Sequence, residues 1–398
     1  MKVIIVGNGV AGQTLAETIR RNNKEMDITL FTEESHPYYS RILLPHFVAG
    51  NRTLENLYVR KKEWYSDQSI RFINATKITK IDLGEKKISS AEGDSFPYDK
   101  LVLSVGSSPR KLDFGNPNVN LQGNFALRSI SDAEQIQHYA KKKPVKRAFI
   151  VGGGLLGIEL GFHLRKMVDQ VQICEIAPYL LPRQLDRETS KILQTYLEDQ
   201  GLQFILGDSV EKILGNNSLE AIRLQSGKEI ETDMILQQLG IIPNTELAQE
   251  SRLNSQKGII VNEFMQTSDR DVYAAGDCIQ FEDKIWGIIP ASIEQAKQAA
   301  AHILNENPEP YTPSIWNTRL KVAGIDLTCI GLSSPEAEEG ATLYEYRRQD
   351  TYTCRKVIIR DNVLTNAILL GPGADSKFFL KKAGKEVDPQ EVKEKVKE

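Results

Sequence analysis

Two separated stretches of the chain repeat one pattern of apolar and polar positions. Residues 3–15 read VIIVGNGVAGQTL, and residues 148–160 read AFIVGGGLLGIEL. Each stretch is a short apolar run, then clustered glycines, then the start of a helix-like segment. The pattern predicts strand, helix and strand at 3–6, about 10–22 and 27–31, and again at 148–151, about 155–166 and 171–175. Two such βαβ units predict an α/β protein with parallel sheets.

The second unit is predicted to be an insertion, because loop-like stretches at 109–124 and 239–247 flank it. A further boundary falls at NENPEPYTP (305–313), whose three prolines cannot sustain a helix or a central strand. Beyond it, strand-like segments precede a charged tail that we interpret as a solvated surface helix. The predicted fold class is two nested Rossmann-like dinucleotide-binding domains plus a small C-terminal α+β domain. The predicted boundaries are 1–112 with 241–307 for the first domain, 113–240 for the inserted domain and 308–398 for the last.

Composition excludes several classes of protein. The 398 residues include 50 Lys+Arg and 53 Asp+Glu, and the formal net charge of −3 offers no general attraction to nucleic acid or anionic membranes. The longest apolar-looking stretch, 148–164, is broken by glycines and polar residues, and the N-terminus lacks a signal-peptide pattern. We therefore expect a cytoplasmic protein without membrane insertion. Four cysteines lie far apart with no CxxC or CxxxxC pair and the histidines are scattered, so we predict no disulfide framework and no metal site.

The glycine motifs GNGVAG (7–12) and GGGLLG (152–157) have the spacing of dinucleotide-binding loops. The first glycine permits a tight turn, the middle one lets a pyrophosphate approach the backbone, and the last lets helix pack on strand. Free N–H groups at the helix start then meet the phosphate charge. The predicted loop residues are Gly7, Gly9, Val10, Ala11 and Gly12 in the first copy, and Gly152, Gly154, Leu155, Leu156 and Gly157 in the second.

An acidic residue follows each motif by about 20 positions, where it can accept hydrogen bonds from ribose hydroxyls. It is Glu33 or its neighbour Glu34 in the first copy, and Glu175 in the second. The competing interpretation is that these are turn glycines and surface acids. A phosphate-binding NTPase loop is disfavoured, because Gln13 and Thr14 follow the first motif where such a loop requires a lysine.

With these motifs, the chain resembles the two-dinucleotide flavoprotein reductases of the pyridine nucleotide-disulfide oxidoreductase fold. YDKLVLSVGSSP (98–109) and DMILQQLGIIPN (233–244) are similar to the segments that close the FAD and NAD parts, and TSDRDVYAAGDC (267–278) is similar to the second flavin motif. HPYYSRILLP (36–45) and EIAPYLLPRQLD (175–186) look most like NADH:rubredoxin reductases and the flavoprotein part of NADH-dependent nitrite reductases.

The resemblance implies that the N-terminal copy binds FAD and the internal copy binds NADH. Asp277 would bind the ribityl chain, and the helix beginning near Pro290 and Ala291 would point its N–H groups at the flavin. Arg41 matches an arginine on the flavin side, and Gly106 and Gly240 close the two segments. Trp316 either covers the flavin or is a core residue.

Three further residues bear on the coenzyme and the chemistry. Glu175 favours NADH over NADPH, because a carboxylate there repels a 2′-phosphate. Glu159 matches a family glutamate near the nicotinamide, the alternative being an acid that complements the helix dipole. His46 either faces the flavin or lies on a helix surface. The predicted catalytic residues are Glu159, Arg41 and His46.

Relatives that reduce disulfides carry a redox cysteine pair, and this sequence has none. Electrons are therefore expected to leave the flavin directly for a protein acceptor: a rubredoxin, a ferredoxin or an iron-sulfur subunit. Two alternatives stay open. One is the NADH-oxidising subunit of a larger complex, and the other is an FAD- and NADH-binding redox sensor.

Overall fold

The computed structural model describes residues 1–115, 121–313, 315–331 and 339–397. The predicted crossing at 109–124 and the C-terminal strand region therefore lie partly outside the described residues. The strands are β1 (Lys2–Val6), β2 (Asp27–Phe31), β3 (Ile70–Ile73), β4 (Ile78–Asp82), β5 (Lys87–Ser90), β6 (Ser95–Pro97), β7 (Lys100–Leu103), β8 (Ser107–Pro109), β9 (Asn124–Ala126), β10 (Arg147–Val151), β11 (Gln170–Glu175), β12 (Gln203–Leu206), β13 (Val210–Leu214), β14 (Ala221–Leu224), β15 (Glu229–Glu231), β16 (Met234–Gln237), β17 (Ile241–Pro243), β18 (Ile259–Val261), β19 (Val272–Ala274), β20 (Ile279–Phe281), β21 (Asn317–Val322), β22 (Ile325–Ile330), β23 (Thr342–Arg348), β24 (Thr353–Arg360) and β25 (Val363–Leu370).

The helices are α1 (Val10–Asn22), α2 (Leu44–Val48), α3 (Lys62–Asp67), α4 (Ile130–Lys142), α5 (Leu155–Leu164), α6 (Arg187–Asp199), α7 (Glu246–Glu250), α8 (Ile289–Ile303), α9 (Ser376–Lys382) and α10 (Pro389–Lys397). Short 3₁₀ turns cover Arg41–Leu43 and Glu55–Leu57. Both predicted βαβ units are confirmed, with ends shifted by at most two residues. Among the described residues, no α-helix combines the length and the apolar character needed to cross a membrane.

The chain divides into two compact units. The first comprises 1–41, 54–108 and the described part of 241–314. The second comprises 42–53 and the described parts of 109–240 and 315–398. The domain boundaries given by the sequence remain a prediction.

A parallel sheet lies at the centre of the first unit, with strand order β19-β7-β1-β2-β3. Val6, the last residue of β1, lies opposite Phe31 on β2 and Leu103 on β7. The first glycine loop therefore starts at the carboxyl edge of this sheet, where ligands of open α/β sheets bind. The helices α1 and α8 pack against each other, and their apolar faces join the core of this unit.

The second unit repeats the arrangement with a parallel sheet of order β12-β11-β10-β16-β9. Val151 ends β10 opposite Cys174 on β11 and Gln237 on β16. The second glycine loop therefore starts at the carboxyl edge of its own sheet, as the first loop does in its sheet. An antiparallel sheet of order β21-β22-β25-β24-β23 follows. The predicted fold class is confirmed.

The C-terminal tail forms a charged surface helix as predicted, but it is not merely solvated, because one of its faces is buried. Val392 and Val396 on α10 are buried, 0% and 2% exposed, in a cluster that includes Val357 of the antiparallel sheet. The charged residues of the tail occupy the other face of the helix. Two apolar residues spaced by four positions are enough to anchor it.

We predict that Gly157→Ala destabilises the protein, whereas Gly154→Ser does not. A Cβ at Gly157 would lie 2.0 Å from the carbonyl oxygen of Gly152, so backbone must move, at a cost of about 1–3 kcal/mol. A Cβ at Gly154 meets nothing within 4 Å, and serine suits its position before the first turn of α5. Urea unfolding of both variants and the wild type measures the difference. Equal midpoints for the two variants would contradict this packing argument.

Candidate functional site

The first glycine loop is built by close backbone contacts. Gly7 donates its N–H to the Phe31 carbonyl at 2.8 Å and has a φ of +110°, and a Cβ there would lie 2.1 Å from the Ser104 carbonyl oxygen. A Cβ at Gly12 would lie 2.0 Å from the Gly7 carbonyl oxygen. Gly9, by contrast, borders open space. The first and last glycines thus serve packing, and the middle one leaves room where a pyrophosphate would lie.

The second loop has the same construction. Gly152 donates its N–H to the Cys174 carbonyl at 2.8 Å and has the same φ of +110°. A Cβ on Gly152 would lie 2.3 Å from the Gln238 carbonyl oxygen, whereas Gly154 borders open space. No side chain caps the N-terminus of α1 or α5. Both loops therefore fit the pyrophosphate of a dinucleotide, with Val10, Ala11, Leu155 and Leu156 in the first helical turns.

Glu175 ends β11 beside the second loop. Its carboxylate accepts hydrogen bonds from the N–H groups of Gly153 at 2.7 Å and Ala177 at 3.0 Å. These two bonds fix the orientation of the acid at the carboxyl edge of the sheet. A carboxylate held there can accept hydrogen bonds from ribose hydroxyls, and its negative charge repels an additional phosphate.

The acids after the first loop have a different environment. Glu34 accepts hydrogen bonds from Arg41 at 2.7 Å and from the Tyr39 hydroxyl at 2.6 Å, whereas Glu33 is exposed. Burial lowers the pKa of Arg41, but Tyr39 and Glu34 together raise it above its ordinary value. Arg41 is therefore a permanent cation with a fixed direction. The sequence did not identify Tyr39 as part of this cluster.

Asp277 follows β19 within the first unit. It accepts a hydrogen bond from the Ser107 hydroxyl at 3.1 Å. The neighbouring Gly276 has a φ of +92°, and a Cβ there would lie 3.0 Å from Cβ of Ala11. The second flavin-like motif and the first glycine loop are therefore adjacent.

The remaining predicted FAD and NAD positions occupy turns and helix starts. Pro290 and Ala291 form the first turn of α8, as predicted. Gly106 and Gly240 have φ values of +67° and +86°, which favour glycine. Trp316 precedes β21 in the second unit, and its carbonyl accepts the Gly331 N–H at 2.7 Å.

A cluster of two imidazoles and one carboxylate lies in the second unit. Glu159 and His163 are one turn apart on α5, with Oε2 and Nε2 separated by 3.5 Å. The ring of His46, on α2, lies 3.8 Å from that of His163 between centroids. The other oxygen of Glu159 accepts the Ala323 N–H at 2.9 Å, and the Asn51 amide contacts Nδ1 of His163 at 3.3 Å.

The structure brings together the predicted residues Glu159 and His46 and adds His163, which the sequence analysis missed. The spacing of Glu159 and His163 on a predicted helix was an available signal, since residues four apart share a face. Burial, followed by the neighbouring His163, lowers the pKa of His46 below its ordinary value. Its imidazole is therefore neutral at neutral pH.

All four cysteines are buried and free of disulfides: Cys174, Cys278, Cys329 and Cys354. Burial raises the pKa of Cys174, Cys278 and Cys329 to about 12 each, and raises that of Cys354 as well. A thiolate is the reactive form of cysteine, so none of the four is a ready nucleophile at neutral pH.

Comparison with known proteins connects this geometry to relatives. The chain is 33% identical over 392 residues to a nitrite reductase [NAD(P)H] of Bacillus subtilis, covering 98% of this chain and 48% of that protein. It is 30% identical over 396 residues to the assimilatory nitrate reductase electron transfer subunit of the same organism, covering 99% and 51%. The chain thus spans about half the length of these curated relatives.

A solved structure shares the fold along nearly the whole chain. The NADH:rubredoxin oxidoreductase from Clostridium acetobutylicum superimposes with a TM-score of 0.76 at 26% identity, covering 97% of this chain and 96% of that one. The family model described as pyridine nucleotide-disulphide oxidoreductase matches residues 1–302. Members of this family use FAD and NADH, which confirms the predicted cofactor pair at the level of the family. The resemblance seen in the sequence is confirmed, and the chain belongs to the pyridine nucleotide-disulphide oxidoreductase family.

Proposed function

We propose that the chain is an NADH-oxidising flavoprotein that passes electrons to an external iron-sulfur or rubredoxin-type carrier without a redox disulfide. One observation carries the proposal: two equivalent dinucleotide loops occur in a chain whose four cysteines are all buried as thiols. Bound FAD would take a hydride from NADH and release the electrons one at a time. The protein would supply binding, orientation and charge.

On the FAD side, the N-terminal loop would hold the pyrophosphate against α1. Glu33 would accept hydrogen bonds from the adenosine ribose, because its side chain is exposed, whereas Glu34 is held in an ion pair with Arg41. Asp277 would bind the ribityl chain, its carboxylate oriented by Ser107. The first turn of α8, which contains Pro290 and Ala291, would direct its free N–H groups at the flavin, and Gly106 would border it.

On the nicotinamide side, the loop from Gly152 to Gly157 would hold the NADH pyrophosphate, with Gly240 at the closing turn. Glu175 would accept hydrogen bonds from the hydroxyls of the adenosine ribose, and its charge would repel the 2′-phosphate of NADPH. Glu159 and His46 would act near the nicotinamide. Ala323 holds the Glu159 carboxylate through a backbone N–H, which fixes its direction in the second unit.

The route by which electrons would leave the flavin is inferred from the burial of the cysteine thiols. Disulfide-reducing relatives need a reactive cysteine beside the flavin, and a buried thiol whose pKa is about 12 cannot serve. The acceptor is therefore proposed to be a separate protein with an iron centre, such as a rubredoxin or a ferredoxin. The reaction needs no membrane, and we propose a cytoplasmic location.

A second candidate function is the NADH-oxidising part of a larger nitrite or nitrate reductase. The observation in its favour is that the chain spans 48% and 51% of two relatives with those names. The electron acceptor would then be an iron-sulfur subunit that copurifies with this chain.

The central test is an acceptor comparison. The NADH-reduced protein should reduce a rubredoxin or a ferredoxin at least tenfold faster than oxygen or dithionitrobenzoate, in anaerobic stopped-flow or steady-state assays. A variant with all four cysteines replaced by alanine should keep this activity, because the thiols only fill space in the core. Loss of activity with a single cysteine, in a variant that still folds by circular dichroism, would overturn the proposal.

NADH should support at least tenfold higher kcat/KM than NADPH, and Glu175→Gln should narrow that ratio. The amide keeps a similar shape and one acceptor for the loop N–H groups but removes the charge that repels the 2′-phosphate. Flavin reduction rates with both coenzymes measure the effect. Glu198→Gln, on α6 of the same unit, is the control and should leave the ratio unchanged. If Glu175→Gln left the ratio of kcat/KM for NADH to that for NADPH unchanged, Glu175 would have no part in the choice of coenzyme.

Arg41→Ala should weaken FAD retention by at least tenfold, because it removes a fixed cation from the motif assigned to the flavin side. Arg60→Ala is the matched control: Arg60 pairs with Glu17 at 2.9 Å, and the two arginine side chains are similarly exposed, 36% and 35%. Flavin content after dialysis, read by absorbance at constant protein concentration, measures retention. Equal FAD retention in both variants would show that Arg41 only forms a surface ion pair with Glu34 and does not help to bind the flavin.

A further inference from the structure

The sequence predicted no metal site, because the histidines are scattered along the chain. Folding brings His46 and His163 together with Glu159, and these three side chains have the donor set of a transition-metal site. Nitrogen and oxygen ligand atoms of the three side chains all lie within 4.8 Å of one another. Two imidazoles and one carboxylate form a known combination for Zn²⁺ in sites that keep a fourth position open. Magnesium and calcium prefer sets made of oxygen alone.

One ligand–ligand distance in the cluster already has the value expected for a tetrahedral centre. Metal–ligand bonds of about 2.0–2.1 Å place neighbouring ligand atoms about 3.4 Å apart. Glu159 Oε2 and His163 Nε2 are separated by 3.5 Å, so two of the three ligands stand at that spacing. The ligand atom of His46 lies within 4.8 Å of the other two, so its half-buried side chain is the one that would have to adjust on metal binding.

Neighbouring groups hold the ligand side chains in place, as the groups that surround a metal site do. The Ala323 N–H binds one oxygen of Glu159 and leaves Oε2 directed at His163. Asn51 contacts the other ring nitrogen of His163, at 3.3 Å. With its amide turned over, the oxygen of Asn51 would accept from Nδ1–H and expose the Nε2 lone pair to a metal.

The burial of the three residues suits a small ion. His163 is 7% exposed, whereas His46 and Glu159 are half-buried, so the cluster is fixed on one side and accessible on the other. Two helices, α2 and α5, supply the three ligands, and the turn between β21 and β22 holds Glu159 through the Ala323 N–H. Ligands from separate segments give a metal the means to bind the folded chain far better than the unfolded one.

We propose that His46, Glu159 and His163 form a binding site for one divalent transition metal of the zinc class, with a fourth position open to water. The same Glu159 and His46 are proposed above to act near the nicotinamide. Metal occupancy and that use of these residues therefore exclude each other. The binding test needs no NADH, so its failure and the failure of the proposed function are distinguishable.

The experiment measures Zn²⁺ binding to the full-length purified chain, treated first with a chelator. Competition with a chromophoric chelator should give one Zn²⁺ per chain, and Co²⁺ should produce visible bands of tetrahedral coordination. His46→Gln, Glu159→Gln and His163→Gln should each weaken binding at least tenfold. Asn51→Ala should weaken it by about tenfold or more, the usual effect of losing a group that orients a metal ligand.

The matched control is His138→Gln, an exposed histidine on α4 of the same unit, which should bind as the wild type does. Zn²⁺ should also raise the unfolding temperature of the wild type and of His138→Gln more than that of His46→Gln, whose ring is only half-buried. Substoichiometric binding, or the same affinity in the wild type and in all three ligand variants, would overturn the proposal.

Discussion

A backbone contact that only glycine allows organises both dinucleotide loops. The last glycine of each motif lies against the carbonyl of the first, so close that a Cβ on Gly12 or Gly157 would come within 2.0 Å of that oxygen. This contact sets the distance between the end of the strand and the start of the helix. The direction of the helix N-terminus, and hence the place for a pyrophosphate, follows from it. The middle glycines border open space and take no part in packing.

The two loops are alike in backbone but differ in the acids that follow them. Glu175 is tied to its own loop by two N–H groups, so its charge stays beside the nucleotide position. Glu34 instead turns to Arg41 and Tyr39 and is part of a fixed ion pair. The repeat in sequence is therefore a repeat of the glycine loop and not of the surroundings of the acid that follows it. Under the proposed function, these different surroundings would accompany two different dinucleotides.

The sequence predicted those parts of the fold that depend on local patterns. Periodicity and glycine spacing determined β1, α1 and β2 and their counterparts β10, α5 and β11, because the close glycine contact is encoded within six residues. The strand β23 was not predicted, because none of its residues is fully buried: Tyr344 and Tyr346 are partly buried, and Leu343 is exposed. The burial of Val392 was missed because a charged helix shows its apolar face only once the sheet beneath it is known. Likewise, the meeting of His46 with Glu159 and His163 depends on α2 packing against α5, which no local pattern encodes.

The sequence lacks a redox cysteine pair, and the structure shows why the four single cysteines are unreactive as well. Spacing alone excludes a CxxC or CxxxxC pair, but single cysteines can still react if their surroundings favour the thiolate. Cys278 is the critical case, because it follows Asp277 in the motif assigned to the flavin. Its thiol is fully buried, contacts the carbonyls of Leu103 and Ala275, and has a pKa raised to about 12 by burial. Charge on this sulfur is thus disfavoured by the core packing around Cys278. An exit for electrons that bypasses sulfur is consistent with the folded state of this chain.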